Sequence, residues 1–395
     1  MSNWQELEEK YFLQTVKRLP VTLVRGEGAK VWDDRGKEYL DFVGGWGVNS
    51  LGHCHPVVAQ TLAEQANTLI QASNQFYTIP QIRLAELLVQ SSCCDKVFLC
   101  NSGAEANEGA VKLARKYGKL HLGGAFEVIT ALNSFHGRTL AMVAATGQQK
   151  FQQPYIPLPN GFINVEYNHI EAIQKATSSQ TCAVMLEAIQ GEGGVNIPSE
   201  DYLRKVRAWC DQKGLLLILD EIQTGVGRTG TLFAYQQYGV EPDIMTLAKG
   251  LASGVPIGAL LAKNKAAVFE PGDHGSTFGG NPLACAVAYA TVRFIIDNNI
   301  PGNAQQVGQY LTTKLEELKS KFNFIVEVRG RGLLKAMEFN EDIADSVVMA
   351  CLERGLLVNR VNPNALRFMP SLIIGQKEVD QAKVILEEVL AGQRT

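Results

Sequence analysis

Three short stretches each bring a charged or donor-bearing residue out of an apolar run. In Leu215-Leu216-Leu217-Ile218-Leu219-Asp220-Glu221-Ile222-Gln223, five apolar residues lead straight into two carboxylates. A carboxylate at a buried strand end is costly without a partner, so Asp220 either caps a following helix or faces a cationic ligand. A protonated pyridine nitrogen is such a ligand, and an aspartate beside it strengthens the ring's pull on electrons. Asp243-Ile244-Met245-Thr246-Leu247-Ala248-Lys249-Gly250 repeats the pattern with the opposite charge. A solvated surface lysine is the ordinary reading. At a buried strand end, desolvation instead lowers the lysine pKa, which is what a Schiff-base amine requires. Cys100-Asn101-Ser102-Gly103-Ala104-Glu105-Ala106-Asn107 leads from a strand into an amphipathic helix expected to run to about Tyr117. It reads as a capped helix start or as an anion cradle, with free N–H groups, the Ser102 hydroxyl and close backbone approach at Gly103.

Together, the cradle, Asp220 and Lys249 match the phosphate, ring nitrogen and aldehyde of pyridoxal phosphate. Two further stretches fit the same site. Asn133-Ser134-Phe135-His136-Gly137-Arg138-Thr139 offers a ring to stack on a flat cofactor and a guanidinium to grip a carboxylate. His274-Gly275-Ser276-Thr277-Phe278-Gly279-Gly280-Asn281 is a glycine-rich loop with two adjacent hydroxyls. Read singly, the arginine is a surface ion-pair residue and the loop a plain turn.

The elements that must position these residues alternate short apolar runs with helical patterns, the mark of an α/β fold with parallel strands and crossover helices. Expected strands are Lys96 to Cys100, Glu127 to Leu132, Ala183 to Glu187, Leu215 to Asp220, Ile244 to Leu247 and Gly258 to Ala262. Their carboxyl ends are where such folds place ligand chemistry. Past Asn281-Pro282 the spacing predicts one long helix over Leu283 to Lys321, then strands about Gly330-Arg331-Gly332, a helix near Asp342 to Arg354, short strands around Leu357 and Leu366, and a helix from Gln376 to Leu390. The expected organisation is an N-terminal segment 1–48, a large cofactor-binding domain 49–282 with a mostly parallel sheet, and a smaller α+β domain 283–395 that packs with the first segment.

A net charge of −3 gives no field to attract nucleic acid or anionic lipid. The longest apolar run is too short to span a bilayer and MSNWQELEEKYF lacks a signal peptide's basic start, so a cytoplasmic protein is expected. Eight cysteines without CxxC spacing suggest reduced thiols. His53-Cys54-His55 resembles a metal cluster only on paper, since adjacent side chains in extended chain face opposite ways, and no metal is expected.

In fixed order over nearly the whole chain, Arg25-Gly26-Glu27-Gly28, Leu51-Gly52-His53, the central motifs, Arg329-Gly330-Arg331-Gly332 and Arg367-Phe368-Met369-Pro370-Ser371 resemble the class III, fold-type I pyridoxal-phosphate aminotransferases. Within that family the resemblance is to the acetylornithine enzymes. It implies that Lys249 holds the cofactor, Asp220 pairs with the ring nitrogen, Gln223 bonds the phenolic oxygen, and Phe135 and Ile222 sandwich the ring. It also implies that Ser102, Gly103 and Ala104 hold the phosphate. Thr277 of a neighbouring subunit reaches the same phosphate, so a homodimer with shared sites is expected, with Ser276 facing substrate. Arg138 would grip a carboxylate remote from the reacting amine, and Arg367 the carboxylate beside glutamate's reacting carbon. Glu192 would pair with Arg367 and swing aside for glutamate, its flanking glycines permitting the motion. Ala104 and Ala188 depart from the family's common threonine and proline, the first costing about 1 kcal/mol of phosphate grip.

The expected reaction is amino transfer from an N-acylated ornithine to 2-oxoglutarate. Ornithine, succinylornithine and 4-aminobutyrate are alternative donors, although Val16 stands where ornithine enzymes carry a tyrosine. An aminomutase or racemase on the same cofactor site, needing no 2-oxoglutarate, is the alternative from another class.

Overall fold

The computed structural model describes residues 3–393; positions 1–2 and 394–395, the outer ends of the expected first and third segments, lie outside them. Near the N-terminus, β1 (Leu23–Glu27), β2 (Lys30–Asp33) and β3 (Glu38–Asp41) form an antiparallel ribbon. The turn between β2 and β3 is closed by Asp33, whose Oδ1 accepts from the N–H groups of Arg35 and Lys37 at 2.9 Å each. Gly36 supplies the positive φ that this turn needs.

The central sheet comprises β4 (Lys96–Cys100), β5 (Glu127–Ala131), β6 (Phe162–Val165), β7 (Thr181–Glu187), β8 (Leu216–Asp220), β9 (Ile244–Leu247) and β10 (Gly258–Ala262). Their order is β4-β10-β9-β8-β7-β5-β6. Every residue of β7 to β10 is buried, as expected of strands covered by helices on both faces. Side chains such as Ile218 and Leu219, fully buried, contribute about 2 kcal/mol each.

Three expectations are corrected. β10 runs antiparallel to both β4 and β9; the link from β9, residues 248–257 with only the 3-10 turn Lys249–Ala252, is too short for a crossover helix. As a result the start of β10 and the ends of the other strands meet at one edge. β6 was not expected; it is a short edge strand carrying Asn164, whose amide donates to Thr130 Oγ1 at 2.6 Å. The long helix is two, Pro282–Asp297 and Ile300–Lys321. They separate at Asn299, which sits at φ 48, with Pro301 in the first turn beyond it, where a missing N–H costs nothing.

The C-terminal part carries β11 (Ile325–Arg331), β12 (Leu334–Phe339), β13 (Leu356–Leu357), β14 (Asn359–Asn362) and β15 (Ala365–Phe368). A sheet of order β11-β12-β15-β14 forms there, and β13 pairs in parallel with β3. The chain ends are thereby joined by backbone hydrogen bonds over a separation of more than three hundred residues, as from Phe42 N–H to Leu357 O at 2.9 Å. No helix among the described residues is long and apolar enough to cross a membrane.

Candidate active site

At the strand edge of the central sheet lies a cavity of about 440 Å3. Lys249, Asp220, Ser102, Gly103, Ala104, Phe135, Arg138, Glu192, Ile222 and Gln223 all line it, so residues spread over more than 140 positions meet in one place.

Glu187, Asp220 and Thr246 stand side by side, one on each of three adjacent strands. Asp220 Oδ2 accepts from Asn107 Nδ2 at 2.7 Å and from His136 Nδ1 at 2.8 Å, while Oδ1 accepts from Ile222 N–H at 3.0 Å. Asn107 is itself held, its Oδ1 accepting from Thr246 Oγ1 at 2.7 Å. The carboxylate is therefore fixed by three donors and keeps lone-pair capacity on Oδ1 for a cationic N–H. Burial disfavours the His136 imidazolium, yet the bond to Asp220 and the charge of Glu187 lift its pKa above the ordinary value. Burial and the neighbouring Asp220 charge push Glu187 up to about 7. Glu187 also joins two loops, accepting from Phe135 N–H at 3.0 Å and Gly191 N–H at 3.1 Å.

Lys249 opens a 3-10 turn directly after β9, with a positive φ of 42. A non-glycine residue in that region is strained, and such strain concentrates at functional positions. Burial lowers the pKa of its ammonium; Glu192 opposes the shift and Arg367 adds to it. Its Nζ lies 4.0 Å from Glu192 Oε1.

Ser102 is the N-cap of the helix Gly103–His121, longer than expected, and its Oγ accepts from Glu105 N–H at 3.2 Å. The start is capped, and capping still leaves the N–H groups of Gly103 and Ala104 without helical acceptors, the donors an anion cradle would use. A Cβ at Gly103 would stand 2.7 Å from Ile222 Cδ1, so glycine is needed here for the packing of Ile222 as well.

Arg367, on β15, is fully buried. Its Nη1 donates to Glu192 Oε1 at 2.7 Å and to Gln223 Oε1 at 3.2 Å, and Gln223 Nε2 donates to the same Glu192 oxygen at 3.1 Å. Burial would raise the Glu192 pKa, but Arg367 and Lys249 hold it down to about 2. The glycines beside Glu192 sit close to their neighbours. A Cβ at Gly191 would lie 1.8 Å from Gln223 Oε1, and one at Gly193 2.1 Å from the Asn133 carbonyl oxygen. They permit close packing of this loop against Gln223 and Asn133.

Ser276 and Thr277 do not line this cavity; they border a separate hollow with Asn74, Gln81 and His274. Ser276 Oγ nevertheless accepts from Asn101 Nδ2 at 3.1 Å, and Asn101 does line the cavity. His53 is engaged by Asp41 at 2.8 Å, and no metal-ligating group of three or more His, Cys, Asp or Glu occurs among the described residues. Asn107, His136 and Glu187 were quoted in the sequence motifs without a role. The one available signal was Asn107, a polar residue four positions after Gly103 on the face that Ala106 and Ala110 bury.

The aminotransferase class-III family model matches residues 11–390. The chain belongs to the class III aminotransferases. The acetylornithine aminotransferase of Caldanaerobacter subterraneus is 51% identical over 388 residues, covering 98% of this chain and 99% of that protein. The enzyme of the same name from Methanocaldococcus jannaschii is also 51% identical, covering 98% of both. Among solved structures, the ornithine aminotransferase of Toxoplasma gondii superposes with a TM-score of 0.95 at 36% identity, over 99% of this chain and 95% of that one. The acetylornithine aminotransferase of Elizabethkingia anophelis gives 0.89 at 36% identity, over 98% of both. Class III aminotransferases depend on pyridoxal phosphate, which one Toxoplasma gondii structure holds at partial occupancy in its active site. The cavity of this class III enzyme fits that cofactor: a lysine, a fixed carboxylate and a helix N-terminus converge on one space.

Proposed function

We propose that this aminotransferase moves the terminal amino group of N2-acetylornithine to 2-oxoglutarate, giving N-acetylglutamate 5-semialdehyde and glutamate in arginine synthesis. The observation that carries this reading is the pair Arg367–Glu192 beside Lys249, with a second arginine, Arg138, at the same cavity and paired with no carboxylate among the described residues. An acylornithine has one carboxylate, remote from its reacting amine, whereas glutamate has one at each end. Arg138 suits the remote carboxylate of both substrates. Arg367 suits the second carboxylate of glutamate once Glu192 turns away, and Glu192 neutralises it at other times. The names of the relatives at 51% identity support the acetylated donor.

The bound cofactor supplies an electron sink conjugated with the reacting carbon. Lys249, its pKa depressed by burial, gives and takes the proton at that carbon, a role worth roughly a hundred- to ten-thousandfold in rate. Asp220 would hold the ring nitrogen and Gln223 the phenolic oxygen. Phe135 and Ile222 would cover the two ring faces and exclude water, while Ser102, Gly103 and Ala104 would receive the phosphate.

The enzyme is further read as a homodimer, Thr277 of each chain reaching the phosphate of the other and Ser276 the substrate. Exclusion of Thr277 from its own chain's cavity supports this, as do Phe76, Tyr77 and Phe278, which stand exposed around that loop. Division into segments 1–48, 49–282 and 283–395 draws support from the β3–β13 pairing. A cytoplasmic location draws support from eight free thiols.

Comparison of acetylornithine, succinylornithine, ornithine and 4-aminobutyrate as donors tests the reading. Acetylornithine should give the highest kcat/KM, and activity should require 2-oxoglutarate. Preference for another donor, or turnover without the oxoacid, overturns it.

A further inference from the structure

Phe151 was singled out by no sequence motif, yet it touches two residues of the site. Arg138 Cζ lies 3.9 Å from the centroid of its ring, nearer than to Phe135 at 5.5 Å. Phe151 also meets Phe135 edge to face, with centroids 5.9 Å apart and planes at 81°. Arg138 is exposed and has no hydrogen bond or ion pair among the described residues; these two rings are what its guanidinium packs against. A long cationic side chain held only by its own backbone samples many rotamers. A ring face against the guanidinium plane restricts it and leaves the N–H edge free for an anion. Phe151 is in turn fixed by its helix Gln149–Gln152, where Gln152 Nε2 donates to Thr146 O at 2.9 Å and Asn164 Oδ1 at 3.1 Å. Lys150 Nζ lies farther from the same ring, at 4.9 Å.

We propose that Phe151 is a positioning residue for substrate selection: it stacks Arg138 into the orientation that receives the substrate's remote carboxylate and braces Phe135 from the side. The proposal rests on the reading of Arg138 as the remote-carboxylate anchor. Phe151 does not itself line the cavity; it acts by reducing the conformational freedom that Arg138 loses on binding. The stack therefore favours donors that carry a carboxylate over donors that do not.

The test uses the holoenzyme and three variants: Phe151→Met, which fills similar volume without a ring face, Phe151→Tyr, which keeps the face, and Arg138→Gln. Two quantities are read: the Kd of glutarate, an unreactive dicarboxylate, by calorimetry, and the ratio of kcat/KM for acetylornithine to that for 1,4-diaminobutane, which has no carboxylate. Phe151→Met should weaken glutarate roughly tenfold and lower the ratio by a similar factor, while Phe151→Tyr stays within about twofold of the parent. Unchanged glutarate binding in Phe151→Met, with binding weakened in Arg138→Gln, overturns the positioning role alone. Unchanged binding in Arg138→Gln overturns the reading of Arg138 beneath it. Equal losses for both donors, or loss of cofactor from Phe151→Met, would make Phe151 a general structural support and overturn the proposal.

Discussion

Arg367 gives one guanidinium nitrogen to Glu192 at 2.7 Å while its Nη2, also buried, meets no acceptor. The pair is thus neutral in charge and incomplete in hydrogen bonding. A substrate carboxylate with two oxygens would satisfy the fork that a single glutamate oxygen leaves half used. Glu192→Ala should preserve or improve the glutamate half-reaction and weaken the acylornithine half-reaction, at a stability cost of about 3 kcal/mol for leaving a buried cation unpaired. Single-turnover kinetics of each half would check this; an equal fall in both removes the switch.

Lys249→Ala should abolish steady-state turnover while cofactor remains bound through the helix N-terminus and Asp220. Borohydride reduction of the parent enzyme, followed by peptide mass spectrometry, should find the cofactor on Lys249. An adduct on any other lysine refutes the assignment.

Asp220→Asn removes a charge that three donors currently fix. Proton abstraction should slow by roughly a hundredfold or more, with cofactor affinity changed far less. A variant that binds cofactor and turns over at the parent rate rules the role out.

Mixing inactive Lys249→Ala chains with inactive Ser276→Ala,Thr277→Ala chains should restore part of the activity, because a hybrid dimer contains one site with both contributions intact. Activity assays on mixtures whose hybrids are verified by native mass spectrometry decide the matter. Hybrids without activity argue against a shared site.

Much of the site was legible because strand ends announce themselves. Lys249 and Asp220 each follow an uninterrupted apolar run, and a charge placed there demands a partner. Ser102-Gly103 before a helix admitted two readings, and the structure shows the cap while leaving the second compatible with it, since a cap on N3 leaves the first N–H groups free. The glycines about Glu192 were read as permitting its motion, and the structure adds that Gly191 and Gly193 allow a close approach. Whether a glycine serves motion or close approach depends on what stands opposite, here Gln223 and the Asn133 carbonyl, both remote in sequence.

By itself, the sequence determined the α/β class, the position of most strands and the types of residue able to meet a cofactor, because hydrophobic period and turn chemistry are local. Tertiary structure alone decided the antiparallel sense of β10, the break at Asn299, and the company each charge keeps. Asn107 and His136 reach Asp220 from two separate elements, Thr246 holds Asn107 from a third, and Phe151 reaches Arg138 from a fourth. No local pattern encodes such meetings; they arise when the burial of apolar faces stacks helices and strands in one arrangement and so fixes which polar ends share a cavity.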